Sequence, residues 1–226
     1  MKILLLIVLH STNAFAGGSL FGDGGYAVEC LAPASEFNML EVYEADHFYN
    51  DVPVIPTNTV SFFAPIDRVG LIQALSLELV KFKIEAPEFL EYLETEMRIE
   101  LKAVLVPRTL FKLTTMDWGV VLRPMPASCF IVQAAVQRIE KESEPPVIFI
   151  NESIWSRFTY TNRAALALHE SLHRWFDKEK NTLAVRQVLI WYMAPEKFKH
   201  LNASVINDVI KNRRAADSTL FKSVRY

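Results

Sequence analysis

The chain has 226 residues, a formal net charge of −2 at neutral pH and an apolar fraction of 51%. Such a composition supplies a real core and excludes wholesale disorder. The near-neutral charge excludes a general nucleic-acid binder, whose phosphate contacts need a basic footprint.

In chain order, the first element is a predicted signal peptide over residues 1–16. Lys2 gives positive charge, Ile3 to Leu9 is an apolar run, and Ala14-Phe15-Ala16 fits a cleavage site. An apolar run of this length is too short to cross a hydrocarbon core, which takes roughly 20 residues. No cysteine follows the cleavage site to take a lipid, and no later apolar run is long enough to span. The expectation is a periplasmic or secreted protein with one exported domain over 17–226, about 210 residues long. In an oxidising compartment its two cysteines, Cys30 and Cys129, are expected to form a disulfide.

Residues 17–25 form a glycine-rich lead-in, flexible or tightly turning, without the lysine and Ser/Thr of a phosphate loop. Tyr26 to Leu31 reads as a strand. Ser35 to His47 fits helix or strand, and Met39 to Tyr43 is read as strand. Pro53 and Pro56 break the chain before a short apolar run, Val60 to Phe63. Val69, Ile72, Leu75, Leu79 and Phe82 then mark a helix over 66–84. Pro87 opens a second helix, whose Glu88, Glu91, Glu94 and Glu96 read as a solvated face.

Val104 to Thr114 is rich in β-formers, and Phe130 to Ile139 with Val147 to Ile150 reads as a hairpin around Glu140 to Pro146. Cys129 stands at the start of that hairpin. Thr161 is the expected cap of a helix over 162–176 and Asn181 of one over 182–193, while Pro195 opens a third helical segment. Strands and helices are segregated, which predicts an α+β fold. A small mixed or antiparallel sheet would pack against a helical middle and a helical C-terminal part.

The motif with chemical content is His169-Glu170-Ser171-Leu172-His173, an HExxH. Residues four apart share a helix face, so both imidazoles can reach one zinc, and Glu170 can serve as general base toward a metal-bound water. This resembles the zincin metallopeptidases. Arg174 departs from that pattern, which wants an uncharged residue there. Three carboxylates are candidate third ligands: Glu179 at the metzincin position, although Phe176 replaces the glycine that lets that chain turn back; Glu196 at a gluzincin-like distance; and Asp177 one turn along. The alternative is structural, with Glu170 and Arg174 pairing at i, i+4 and the histidines simply hydrogen-bonded.

Several segments together carry a second resemblance: GDGGYAVEC at 22–30, LEVYEA at 40–45, Pro126-x-x-Cys129, Ile154-Trp155, AALALHESLHR at 164–174 and NTLAVR at 181–186. They resemble a family of uncharacterised exported proteins of predatory-type Gram-negative bacteria, along most of the mature chain. That family keeps the His-Glu pair but often has tyrosine where this chain has His173, and there a two-histidine zinc site cannot form. The resemblance implies an exported location and a shared architecture. It also gives Glu170 and Arg174 a possible anchoring role, for instance toward the 182–193 helix and its Arg186.

The segment 197–226 is basic, with seven Lys/Arg against Asp208 and Asp217, and Val205, Val209 and Ile210 predict a short packed helix ending at Lys211, Arg213 and Arg214. Those cations either cap the helix or attract an anionic envelope surface. Three functions therefore stand open: a non-catalytic envelope scaffold or binding protein, a zinc-dependent hydrolase, and a surface binder using the basic tail.

Overall fold

The computed structural model describes residues 19–21, 25–31, 36–49, 62–107, 125–139, 147–176, 183–198 and 202–216. The predicted leader, the 140–146 turn, Asn181, Asp177 and Glu179 lie outside them, as does most of the expected 104–114 strand.

The fold is α+β. A four-stranded sheet has the order β1-β6-β7-β4, from β1 (Ser19–Phe21), β6 (Ala135–Ile139), β7 (Val147–Asn151) and β4 (Lys102–Val106). A three-stranded sheet has the order β3-β2-β5, from β3 (Glu36–Met39), β2 (Tyr26–Cys30) and β5 (Cys129–Gln133). The expected β6–β7 hairpin pairing is present, and β4 runs parallel to β7.

The single strand read over 130–139 is two strands in two sheets. Its break at Ala134 has a hydrogen-bonding cause. The Ala134 and Ala135 amides both donate to the Gly25 carbonyl, at 2.8 and 3.1 Å, while the Ala134 carbonyl accepts from the Asn151 amide at 2.8 Å. Gly25 thus sits where the sheets part, and the glycine-rich lead-in feeds a strand, β1, on one side of it.

The helices are α1 (Leu40–Tyr49), α2 (Pro65–Lys81), α3 (Pro87–Glu96), α4 (Glu152–Trp155), α5 (Tyr160–His173), α6 (Leu183–Met193), α7 (Pro195–Phe198) and α8 (Asn202–Asn212). The expected strand over Met39 to Tyr43 is corrected: β3 ends at Met39 and α1 follows at once. Helix puts Glu41 and Glu44 one turn apart on a shared face; a strand would send them to opposite sides.

α2 stops at Lys81, short of the predicted 84. Lys83 takes a left-handed φ of 56°, and the Ile84 and Lys83 amides bond back to Leu79 and Val80 carbonyls, a Schellman ending. α5 starts earlier than expected. Its cap is Thr159, whose hydroxyl accepts from the Asn162 amide at 3.3 Å, in place of Thr161. On α8, Val209 and Ile210 are buried with Ile206, and Arg213 lies 3.9 Å over the Trp175 ring.

Cys30 and Cys129 are directly opposed in the β2–β5 register and form a disulfide. Among the described residues no helix is long and apolar enough to cross a membrane. The bridge closes a loop with a sequence separation of 99, so replacing both cysteines by alanine should lower stability by about 2–4 kcal/mol. Urea unfolding of that variant beside the wild type checks this. Equal midpoints would show that the β2–β5 pairing holds without its bridge.

Candidate functional site

α5 is the helix around which the site is built. Ala164, Leu168 and Leu172 are apolar and buried, but so are Asn162, His169, Glu170, Ser171 and His173. A buried polar group without a partner costs on the order of 1–3 kcal/mol in proteins, so each of these demands an explanation.

His169 looks toward α1. Its Nδ1 lies 3.0 Å from Glu41 Oε1, and Glu41 Oε1 also lies 3.4 Å from Arg186 Nε on α6. Arg186 in turn donates to Glu44 Oε2 at 2.5 Å. Burial pushes the Glu41 carboxyl up, but His169 and Arg186 outweigh it and hold the group below the usual carboxylate range. Arg186, anticipated as an additional charge near α5, thus serves α1.

His169 Nε2 meets His173 Nε2 at 3.1 Å. Two imidazole nitrogens at this distance bond when one carries hydrogen and the other a lone pair. Burial, reinforced by the neighbouring His169, holds the His173 pKa well below its ordinary value.

Glu170 reaches the point where the sheets part. Its Oε1 accepts from the Gly25 amide at 3.0 Å, and its own carbonyl accepts from Gln137 Nε2 at 2.6 Å. Burial pushes its carboxyl up against the opposing effect of His169 and these hydrogen bonds. Its Oε2 is buried with no hydrogen-bond partner among the described residues. Space at Gly25 is tight: a Cβ there would lie 2.5 Å from Leu166 Cδ1 and 3.4 Å from Glu170 Oε1.

The other side of α5 faces α2 and α3. Arg68 on α2 donates to Ser171 Oγ at 2.9 Å and to the Glu96 and Ile99 carbonyls. Arg174 donates to Glu96 Oε1 at 3.0 Å, and Tyr92 donates to the Ser171 carbonyl at 2.5 Å. Two expectations are corrected here. Glu88, Glu91 and Glu94 are exposed, but Glu96 is buried between Arg68 and Arg174. Arg174 pairs with Glu96, and Glu170, its expected i, i+4 partner, turns to Gly25. At the start of α5, Asn162 Oδ1 accepts from the Met39 amide at 2.7 Å, joining the helix to the end of β3.

The structure thus brings His169 and His173 together. Glu170 is turned to Gly25, and Glu196 lies in the short α7. Among the described residues no group of three or more His, Cys, Asp or Glu is arranged to hold a metal ion. Glu41, Glu44, Arg68 and Gln137 belong to the site without any spacing signal to announce them. The faint cue was charge inside apolar runs, at Leu40-Glu41-Val42-Tyr43-Glu44-Ala45 and around Arg68. No protein-family model, curated protein or solved structure matches the chain.

Two predictions follow from this packing. Gly25→Ala should destabilise by about 1–3 kcal/mol, because the added methyl overpacks the contact with Leu166; an unchanged urea midpoint would contradict it. The second concerns pH. His173 has a depressed pKa in the fold, so as pH falls through about 6.5 the unfolded chain takes up a proton that the folded chain refuses. Stability should therefore fall on acidification by up to about 1.4 kcal/mol per pH unit relative to His173→Gln. The comparison is needed because Glu96 and Glu170, whose pKa values burial raises, act with opposite sign in both proteins. Parallel stability curves between pH 7 and pH 5 would refute this role of His173.

Proposed function

We propose that the chain is an exported, non-catalytic envelope protein in which the HExxH helix serves as the structural keystone. One observation carries the reading. Four polar side chains of His169–Arg174 each bind a different segment: His169 binds α1, Glu170 binds Gly25, Ser171 binds α2 and Arg174 binds α3. A catalytic helix would hold its base toward a cleft; this one spends its glutamate on a backbone amide of its own fold. The disulfide and the predicted leader support an extracytoplasmic setting. The resemblance to exported proteins with tyrosine at position 173 supports the structural role of that position, since a phenol hydroxyl can also hydrogen-bond with His169 Nε2.

A zinc-hydrolase reading draws on a different observation. The two Nε2 atoms converge, and Glu41 backs His169 Nδ1 as carboxylates back metal-bound histidines. The described residues fit such a centre poorly. A catalytic zinc takes three protein ligands and a water, whereas two nitrogens converge here and Glu170 is turned to Gly25.

Metal analysis and unfolding with and without chelator separate these readings. The scaffold reading expects far less than one zinc per chain, no chelator effect, and little change from His173→Tyr. Glu170→Ala, which strands the Gly25 amide, should cost about 1–3 kcal/mol. Stoichiometric zinc that is lost in His173→Tyr would overturn the proposal.

A further inference from the structure

The buried network leaves one surface feature unexplained, the outward face of α2. This helix buries Arg68, Leu71, Ile72, Leu75 and Leu79 on its inner side. On the outer side Ile66, Leu77 and Val80 are 83%, 70% and 62% exposed. With Gly70 and Gln73 they form a line at 66, 70, 73, 77 and 80, whose alternating intervals of four and three are those of a helix-pairing seam. Gly70 stands within this line, and a Cβ there would meet nothing within 4 Å. Glycine inside a helix costs roughly 0.5–1 kcal/mol relative to alanine, and no neighbour among the described residues requires it. Close approach of a second backbone would.

We propose that this face pairs two copies of the chain, α2 against α2, antiparallel about a two-fold axis near Gln73. Charge selects this occupant and this direction. Asp67 lies in the first turn of α2 and Lys81 in the last. Antiparallel pairing sets Asp67 beside the partner's Lys81, and the two-fold axis makes that contact twice. Parallel pairing would carry these flanking residues to opposite sides of the seam and give neither an opposite charge across it. The shapes agree as well: Leu77 faces the gap above the partner's Gly70, and Ile66 faces the partner's Val80. Within one copy Lys81 is 3.3 Å from Glu78 in an exposed pair and 5.1 Å over the Phe82 ring, and an exposed ion pair of this kind contributes little. One helix face is small beside the ~800 Å² per partner of a standard interface, so the dimer is weak and concentration-dependent. This inference is independent of the role assigned to α5.

Sedimentation equilibrium of the purified protein over a range of concentrations tests it. The expected result is a reversible monomer–dimer equilibrium with a dissociation constant on the order of micromolar. Leu77→Glu should raise that constant at least about tenfold and leave the unfolding midpoint of the dilute monomer unchanged. Asp67→Lys and Lys81→Asp should each weaken self-association, and their equimolar mixture should recover a heterodimer. A protein that stays monomeric throughout would overturn the proposal. So would a dimer indifferent to these variants, a mixture that fails to recover, or a dilute monomer destabilised by Leu77→Glu, which would place another part of the chain on this face.

Discussion

The interaction on which the rest depends is the burial of a polar helix. α5 carries a histidine pair, a glutamate and a serine into the centre of the fold, and buried polar and charged groups are tolerated only when partnered. That requirement dictates what surrounds the helix. An acid must come from α1, an amide from the start of β2, a guanidinium from α2 and a carboxylate from α3. Buried networks of this kind add less net stability than apolar packing. They do, however, penalise any arrangement that leaves one member stranded.

The ion pairs divide into two systems on opposite sides of α5. On one, Glu41 and Glu44 share Arg186, and His169 closes the chain. On the other, Glu96 sits between Arg68 and Arg174. α5 stands between them. Glu170 belongs to neither. It faces the parting of the sheets, where the Gly25 amide donates to Glu170 and the Gly25 carbonyl accepts from the Ala134 and Ala135 amides at the β5–β6 break. The lead-in, both sheets and α5 therefore meet at one residue without a side chain.

Much of this frame was legible in the sequence. The period of α2, the proline opening α3, the hairpin of β6 and β7, and the cysteine pair are all local or compositional signals. α1 was misread because six consecutive residues, Leu40 to Ala45, are buried, so no polar face revealed a helical period. The 130–139 run gave no sign of a break because its cause, the Gly25 carbonyl, lies far away in sequence. The site divides in the same way. The HExxH spacing is local and was visible at once. Its partners stand 128, 145, 103 and 78 residues away, and single-sequence periodicity carries no information at that range. Glu96 was assigned to solvent along with its acidic neighbours, since nothing local marks out the one that meets two arginines.

The spacing of an HExxH motif therefore does less than it suggests. Placing two imidazoles on one helix face at i and i+4 brings their Nε2 atoms together whether or not a metal lies between them. At 3.1 Å the pair suits a shared proton as well as a shared cation. What separates the cases is the glutamate. A base must keep a carboxylate oxygen toward the reacting water, whereas here Glu170 Oε1 accepts from the Gly25 amide. With Glu170 tied to Gly25 in a space too tight for a methyl group, turning it toward the histidines would strand a buried amide and disturb the parting of both sheets. On the proposed scaffold reading, the motif keeps its helical spacing while its polar groups turn inward to bind the helix's own chain.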